Sequence, residues 1–267
     1  MRAVVLRAAG VAALALAAGA AAVPAPLVIA DEEGDNEDAP DVVEVRVASE
    51  PGVFAFRISF AAAPPLTSGE QLVSVLIDAD RDETTGPEGF EYALRADASG
   101  ARLETWIDAV WEPASVRGLR SSFASSVLSL VLPRAAVGGT RAIDFLVVAS
   151  EGDPDLEGTA DIAPELGNAT FALPDARRVE ATLRPVAPRA GRPVGLGPVG
   201  VVLSDGSRAP ASVVVCSAAV RGRMLPGAGR CSWRLPRNGA GAMLVVHVRA
   251  AWEGSQAPAR TLRVRVR

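Results

Sequence analysis

The sequence has no lysine, a single histidine, His247, and only two cysteines among 267 residues. A Ser/His/Asp triad or a histidine-bearing zinc site would have to use His247, which lies within an apolar strand-like segment where a structural role is expected. The chain also has no G-x-S-x-G, H-E-x-x-H or phosphate-binding motif. We therefore expect a protein that is not an enzyme, with carboxylate-only chemistry of the glycoside-hydrolase kind as the one catalytic alternative.

Amphipathic helices of useful length are also missing after residue 40. The chain instead shows short segments in which apolar and polar residues alternate, separated by turns rich in Gly, Pro, Ser and Asp. A period of two residues is typical of strands with one buried face, and many short strands at this spacing indicate a β-sandwich. We predict an all-β protein with strands near residues 43–47, 54–60, 72–77, 90–94, 102–107, 127–132, 143–149 and 170–173, followed by six more from 179 to 266.

The chain begins with a basic and apolar segment. Two arginines precede a continuous apolar run at residues 8–23, and small residues suited to signal peptidase end at Ala22 and again at Ala30. This pattern is typical of a secretory signal peptide, so we predict a leader within residues 1–30 and a secreted, extracellular or cell-surface protein. An uncleaved membrane anchor is the alternative, since the run is near bilayer-spanning length, but Pro24 would break such a helix.

The net charge of −4 conceals a division of the chain. Residues 31–174 carry nine arginines and 27 acidic residues, a net charge of −18, whereas residues 175–267 carry 16 arginines and four acidic residues, a net charge of +12. Such asymmetry suggests two modules with different surfaces, which we place at residues 41–174 and 175–267. The acidic run at residues 31–40 has nothing apolar to bury, and we predict a solvated tether.

Carboxylates at alternate positions follow the predicted buried strand near residue 77. Asp78, Asp80 and Asp82 lead into a Thr-Gly turn, and Glu88 or Glu91 could complete a ligand shell from the next strand. Calcium takes six to eight oxygen ligands, which such a loop can direct at one point. The loop is not an EF-hand, because its sixth position is not glycine. We predict a calcium site formed by Asp78, Asp80, Asp82 and Glu91, with an acidic surface turn as the alternative.

The same region resembles the family-nine carbohydrate-binding modules and the DOMON-like sandwiches of extracytoplasmic bacterial proteins. In that pattern a strand ends in D-x-D, a T-G turn follows, and G-x-D-Y opens the next strand. The matching residues are Asp78, Asp80, Thr85-Gly86, Gly89-Phe90-Glu91-Tyr92, with Glu91 replacing the family's Asp, and Asp161-Ile162-Ala163-Pro164 as the closing D-x-A-P. The resemblance covers residues 41–173 and implies a jelly-roll-like β-sandwich with a metal loop.

Trp106 and Trp111 fall where such domains carry an aromatic strand and hairpin. Aromatic faces stack on the apolar faces of pyranose rings, and tryptophan offers the largest face. In the alternation of its strand, Trp106 shares a side with Arg102 and Glu104, which favours exposure. We interpret the two tryptophans as candidate sugar-binding residues, with half-buried packing as the alternative.

The second module has the size of an immunoglobulin-like sandwich. It resembles the small C-terminal Ig-like domains of secreted actinobacterial proteins, through Val215-Cys216-Ser217, through the segment 229–236 around Cys231, and through the terminal segment 262–266. In an oxidising compartment the only two cysteines, Cys216 and Cys231, are expected to pair. Two buried free thiols are the alternative, and a metal site is excluded because no further Cys or His lies nearby.

Two functions are consistent with the sequence. The first is a secreted, calcium-stabilised binding protein for an extracellular glycan or a cell-envelope polymer, and the alternative is a structural or adaptor protein of the envelope without a small ligand. Arg263, Arg265 and Arg267 alternate with apolar residues, so they form either a solvated surface or a docking face for the acidic module or an anionic wall polymer. Because the protein is exported, nucleic acid is not an expected partner, and no stable membrane insertion is expected once the leader is removed.

Overall fold

The computed structural model describes residues 24–34, 39–62, 71–97, 99–151 and 160–267. These ranges contain strands and three short 3-10 turns, at Pro87–Gly89, Arg134–Val137 and Arg237–Gly239, and no α-helix. Within them, no helix has the length and hydrophobicity needed to span a bilayer. The predicted all-β sandwich fold is confirmed.

The described residues of the acidic half form twelve strands: β1 Leu27–Ala30, β2 Val42–Glu50, β3 Val53–Phe60, β4 Gln71–Asp78, β5 Tyr92–Asp97, β6 Gly100–Ile107, β7 Val110–Ala114, β8 Arg120–Ala124, β9 Val127–Pro133, β10 Ala142–Glu151, β11 Ala160–Ala163 and β12 Ala169–Ala172. One antiparallel sheet has the order β1-β2-β3-β9-β8. The other has the order β11-β10-β4-β5-β6-β7, with β12 also paired to β10. We call this half the first sandwich.

The two sheets of the first sandwich enclose an aromatic core. Phe54 and Phe56 of β3 are buried and meet Phe171 and Phe145 of the facing sheet edge-on, with ring centroids 5.9 and 5.6 Å apart. The alternation predicted for β3 therefore sets the core, because every second side chain of a strand points to the same face.

The alternation predicted for β2 fails at its start. The register between β2 and β3 shifts between Val42 and Glu44, so that Val42 is buried and Val43 is only partly buried. A bulge adds one residue to one strand and moves the following side chains to the other face. Sequence alternation alone placed Val43 in line with Val45 and Val47, because a bulge leaves no local signal there.

The edge strand β1 lies within the stretch that the sequence places in the leader. Leu27–Ala30 pairs with β2, and the backbone N–H of Asp31 continues the ladder to the carbonyl of Val43. Cleavage after Ala30 would remove this strand, whereas cleavage after Ala22 would retain it. Residues 1–23, which hold the apolar run, and residues 35–38 of the acidic run lie outside the described residues.

The basic half consists of twelve short strands: β13 Ala176–Glu180, β14 Leu183–Arg184, β15 Pro193–Leu196, β16 Gly200–Leu203, β17 Arg208–Pro210, β18 Val213–Val220, β19 Arg223–Met224, β20 Gly227–Gly229, β21 Ser232–Arg234, β22 Met243–Trp252, β23 Ser255–Gln256 and β24 Arg260–Arg265. They form three small sheets, β13-β16-β17, β14-β15-β21-β20 and β19-β18-β22-β23 with β24 on β22. We call this half the second sandwich.

A disulfide joins two sheets of the second sandwich. Cys216 of β18 is bonded to Cys231, which precedes β21, and their Cα atoms are 5.6 Å apart. Both cysteines pack against a core that includes the buried Trp233 and Leu244. The pairing predicted from the cysteine count is confirmed.

The two halves meet in a polar junction around Glu253. Its carboxylate accepts hydrogen bonds from the buried Arg134 guanidinium and from the backbone N–H of Gly52, the latter at 3.0 Å. Arg141 donates to the carbonyls of Trp252 and Pro174 at 3.2 and 2.9 Å. The junction therefore links loops of the first sandwich to the end of β22 and to the connecting chain.

Candidate metal and ligand site

The loop after β4 is shaped by a glycine that no other residue could replace without rearrangement. Gly86 has a φ of 70°, and a Cβ atom there would lie 2.0 Å from the carbonyl oxygen of Phe90. The left-handed backbone and the close approach both require glycine. The Thr-Gly turn noted in the sequence thus folds the loop back against the start of β5.

Three carboxylates converge at this loop. Asp78 ends the central strand β4 with 3 % of its surface exposed, Asp80 lies on the exposed rim, and Glu91 precedes β5. One oxygen atom from each lies within 4.8 Å of the others. Oxygen ligands lie 2.3–2.6 Å from a calcium ion, so atoms at most about 5 Å apart can share one ion. We call Asp78, Asp80 and Glu91 the carboxylate cluster.

Hydrogen bonds hold all three members of the cluster in place. The hydroxyl of Thr85 lies 3.1 Å from an Asp80 oxygen and 2.5 Å from Glu91 Oε1, and the backbone N–H of Ala79 donates to Glu91 Oε2 at 2.9 Å. The backbone N–H of Arg81 donates to Asp78 Oδ1. The loop backbone and one hydroxyl thus orient the carboxylates, and no arginine side chain is needed to do so.

Asp82, the fourth predicted ligand, does not lie in the cluster. Its carboxylate accepts from the backbone N–H and the hydroxyl of Thr84, at 3.0 and 2.6 Å. These hydrogen bonds lower the pKa of Asp82. The structure therefore brings together three of the four predicted residues, because the loop turns at Asp82 and directs this side chain toward the next residues of the chain.

Burial and mutual repulsion make the cluster electrostatically unfavourable without a cation. Burial raises the pKa of Asp78, and the negative charges of Asp80 and Asp144 raise it further. Burial, together with Asp80, also raises the pKa of Glu91. When the pKa of a carboxyl is higher in the folded than in the unfolded protein, the free energy of unfolding falls as the pH rises between these two pKa values. A bound cation would offset this cost at neutral pH.

The predicted ligand-binding tryptophans lie on neighbouring strands of one hairpin. Trp106 of β6 and Trp111 of β7 are direct cross-strand partners, and their ring centroids are 5.2 Å apart at an interplanar angle of 64°. Both are half-buried. The guanidinium of Arg95 lies 5.9 Å from the centre of the Trp111 ring, so that part of this ring is already in contact with the protein.

The tryptophan hairpin adjoins the carboxylate cluster. The backbone N–H of Trp106 donates to the carbonyl of Glu91 at 2.8 Å, which extends the pairing of β5 with β6 by one position. Residues opposite each other on antiparallel strands have Cβ atoms about 5 Å apart. The structure thus makes one continuous region of two features that are fifteen residues apart in the sequence.

A second carboxylate group was missed by the sequence analysis. Oxygen atoms of Asp31, Asp161 and Glu165 also lie within 4.8 Å of one another. Asp161, the first residue of the closing D-x-A-P, is buried and accepts a hydrogen bond from the backbone N–H of Val42. The sequence places Asp31 in the acidic tether, and only the pairing of β1 with β2 brings it to this end of the sandwich.

Comparisons with known proteins give little further information. No family model and no curated protein matches the sequence. Among solved structures, the chain is similar to one described as domains A168–A170 from titin, with 13 % identity over 91 % of this chain and 89 % of that chain. The TM-score is 0.22, a value at which the likeness supports no statement about function.

Proposed function

We propose that this chain is a secreted, non-catalytic binding protein whose first sandwich is stabilised by calcium and holds an extracellular glycan or a cell-envelope polymer. The observation that carries the proposal is the continuity of the carboxylate cluster with the Trp106 and Trp111 hairpin. Export is supported by the basic and apolar start of the chain and by the Cys216–Cys231 disulfide, which suits an oxidising compartment.

Calcium suits the cluster on chemical grounds. The donor atoms are carboxylate oxygens, which calcium prefers, and the cluster includes neither cysteine nor histidine, the usual ligands of zinc. Three protein residues fill part of a shell of six to eight oxygens, and bidentate carboxylates, water or the hydroxyls of a bound sugar could fill the rest. Asp78, Asp80 and Glu91 would hold the ion beside Trp106.

Calcium binding is tested by thermal unfolding of the full secreted chain in EGTA and in millimolar calcium. Binding to the native state alone stabilises it by about 2.7 kcal/mol at a hundredfold excess over Kd, so calcium should raise Tm. Asp78→Asn should abolish the rise. Asp82→Asn is the matched control, since it removes one charge from the same loop outside the cluster. Identical wild-type melting curves in EGTA and calcium would contradict the proposal.

Ligand binding is tested separately on a glycan array and on purified cell walls, with and without EGTA. Trp106→Ala and Trp111→Ala should each weaken binding, since the stacking of a sugar ring on the aromatic ring is lost with that ring. Ile107→Ala is the control, because Ile107 is an exposed apolar residue of the same hairpin. If the wild type binds no glycan or wall material in calcium, the binding function is wrong even where the metal test succeeds.

One observation favours the alternative function, a structural or adaptor protein of the envelope. Trp111 is in contact with Trp106 and lies under Arg95, which also pairs with Glu104 at 3.1 Å. A ring packed in this way offers less area to a sugar than a free one. The alternative would be supported if calcium raises Tm and the chain binds neither the glycan array nor purified cell walls.

A further inference from the structure

The second sandwich presents an exposed sheet face that carries positive charge. On β22 and β24 the cross-strand register aligns Val245 with Arg263 and Met243 with Arg265, and on β18 Val215 lies opposite Arg249. Side chains at alternate positions point to the same side. We call the following set the basic face: Val213, Val215, Ser217, Met243, Val245, His247, Arg249, Thr261, Arg263 and Arg265.

The arginines of the basic face are uncompensated. None of the ten residues is acidic, and no ion pair joins Arg249, Arg263 or Arg265 to an acid in the part of the chain that the structure describes. The three side chains are exposed. Among the described residues, the hydrogen bonds from the first sandwich to the second reach Trp252, Glu253 and Asp175, and none of them reaches these arginines.

A groove runs beside Arg249. Two adjoining depressions of about 300 and 340 Å³ share Val215, Arg249 and Ala259 among their lining residues. Val213 and Val215 are 54 % and 61 % exposed. The groove therefore combines a guanidinium with apolar side chains that a partner could cover, which lowers the free energy of contact by removing apolar surface from water.

The spacing of the arginines suits an extended chain better than a small anion. Arg263 and Arg265 are two residues apart on one strand, about 7 Å. Arg249 is four positions along β22 from the partner of Arg263, about 13 Å further. We propose that the basic face binds a linear acidic polysaccharide, whose carboxylates pair with the three arginines and whose sugar rings cover Val213 and Val215.

The composition of the face favours a polysaccharide over a nucleic acid. Proteins that hold single-stranded nucleic acids stack the bases on Phe, Tyr or Trp. None of the ten residues is one of these, whereas aliphatic side chains flank Arg249. The guanidinium group pairs with carboxylates in a two-point geometry, so a row of arginines can pair with several carboxylates of an acidic sugar chain.

The inference relies on the proposed function only for the class of partner, an extracellular glycan, and its site lies in the other half of the chain. The proposed function of the first sandwich and the proposed binding at the basic face can therefore be disproved independently. Binding at the basic face requires neither calcium nor the tryptophans, so it is measured in EGTA, where the site of the first sandwich is without metal.

The test measures binding of the full secreted chain to alginate oligosaccharides, linear chains of uronic acids, by calorimetry in EGTA at low salt. Arg249→Ser, Arg263→Ser and Arg265→Ser together should weaken binding at least about tenfold, or about 1.4 kcal/mol. Arg189→Ser, Arg192→Ser and Arg234→Ser together form the control, since they remove three exposed arginines of the same half from outside the face. Thermal unfolding confirms that both triple variants are folded.

The expected result is binding that the face variant loses, the control variant keeps, and 1 M salt weakens as the Debye length falls to about 3 Å. Equal loss in both variants, or no binding of alginate by the wild type, would overturn the proposal. Equal affinity for polyphosphate or single-stranded DNA would show that the face recognises charge alone and would also overturn it. Salt-sensitive self-association that requires the same arginines would likewise overturn the proposal, because the basic face would then bind a second copy of the chain.

Discussion

The first sandwich is built from two extended sheets with aromatic contacts between them, whereas the second is divided into three small sheets and is joined by a disulfide. The first has no cysteine at all. A larger core can bury enough apolar surface to be stable without a cross-link, but a smaller one gains from a bond that restricts its unfolded state. The difference shows two ways of stabilising short strands in one chain.

The halves also differ in where their excess charge lies. In the first sandwich three carboxylates are brought into one loop, and burial makes two of them costly to ionise. In the second sandwich three exposed arginines are spread along one sheet face. A focused cluster suits one small cation, whereas a row of separated charges suits an extended anion.

The largest expected effect comes from the aromatic core of the first sandwich. Phe56→Ala should lower the free energy of unfolding by about 3–5 kcal/mol, because it leaves a cavity where Phe56 meets Phe145. Hydrogen exchange followed by mass spectrometry should show the loss of protection mainly in β2, β3 and β9. Phe56→Leu is the control and should cost much less. A similar loss of protection in both halves would mean that they do not unfold separately.

Removing the disulfide tests whether the second sandwich depends on its cross-link for stability. Cys216→Ala with Cys231→Ala should cost about 3 kcal/mol, since the bond closes a loop between residues fifteen apart. Protection should fall in β18 and β21, and Phe56 and its neighbours should be unaffected. Titration of the unfolded, unreduced protein should detect no free thiol. Two reactive thiols would contradict the predicted role of the bond.

A smaller effect is expected at the junction. Glu253→Gln removes the charge that pairs with the buried Arg134 guanidinium, and should cost about 2 kcal/mol. It should also let the halves unfold more independently, which would appear as two transitions in calorimetry. Asp205→Asn neutralises an exposed acid of the second sandwich and serves as the control. A single, unshifted transition in Glu253→Gln would show that the Glu253–Arg134 pair does not contribute to the coupling of the halves.

Much of the site could be predicted from local patterns. Asp78, Asp80 and Glu91 were found because carboxylates at alternate positions and a Thr-Gly turn lie between two strands, and the structure brings these three together. Asp82 has the same spacing but faces Thr84. The direction of a side chain within an irregular loop depends on the backbone turn at each residue, which spacing alone does not reveal.

The basic face could be predicted only in part. The alternation of the last segment predicted Arg263, Arg265 and Arg267 on one side; all three are exposed, but β24 ends at Arg265 and includes only the first two. The register of β22 with β24 brings Arg249 to the same side. The register of β18 with β22 adds the exposed Val213 and Val215. Register joins residues that are distant in the chain, so no single segment contains this information.

The sequence by itself determined the all-β class and the alternating core positions of β3, because these depend on local periodicity. It also determined the partner of each cysteine, because the chain has only two cysteines. The tertiary structure alone decided that Leu27–Ala30 is a strand, that Val43 leaves the core at a bulge, and that Glu91 and Trp106 are neighbours. Each of these depends on which strands pair and in what register, and that choice is made by burying the whole core at once rather than by any one segment.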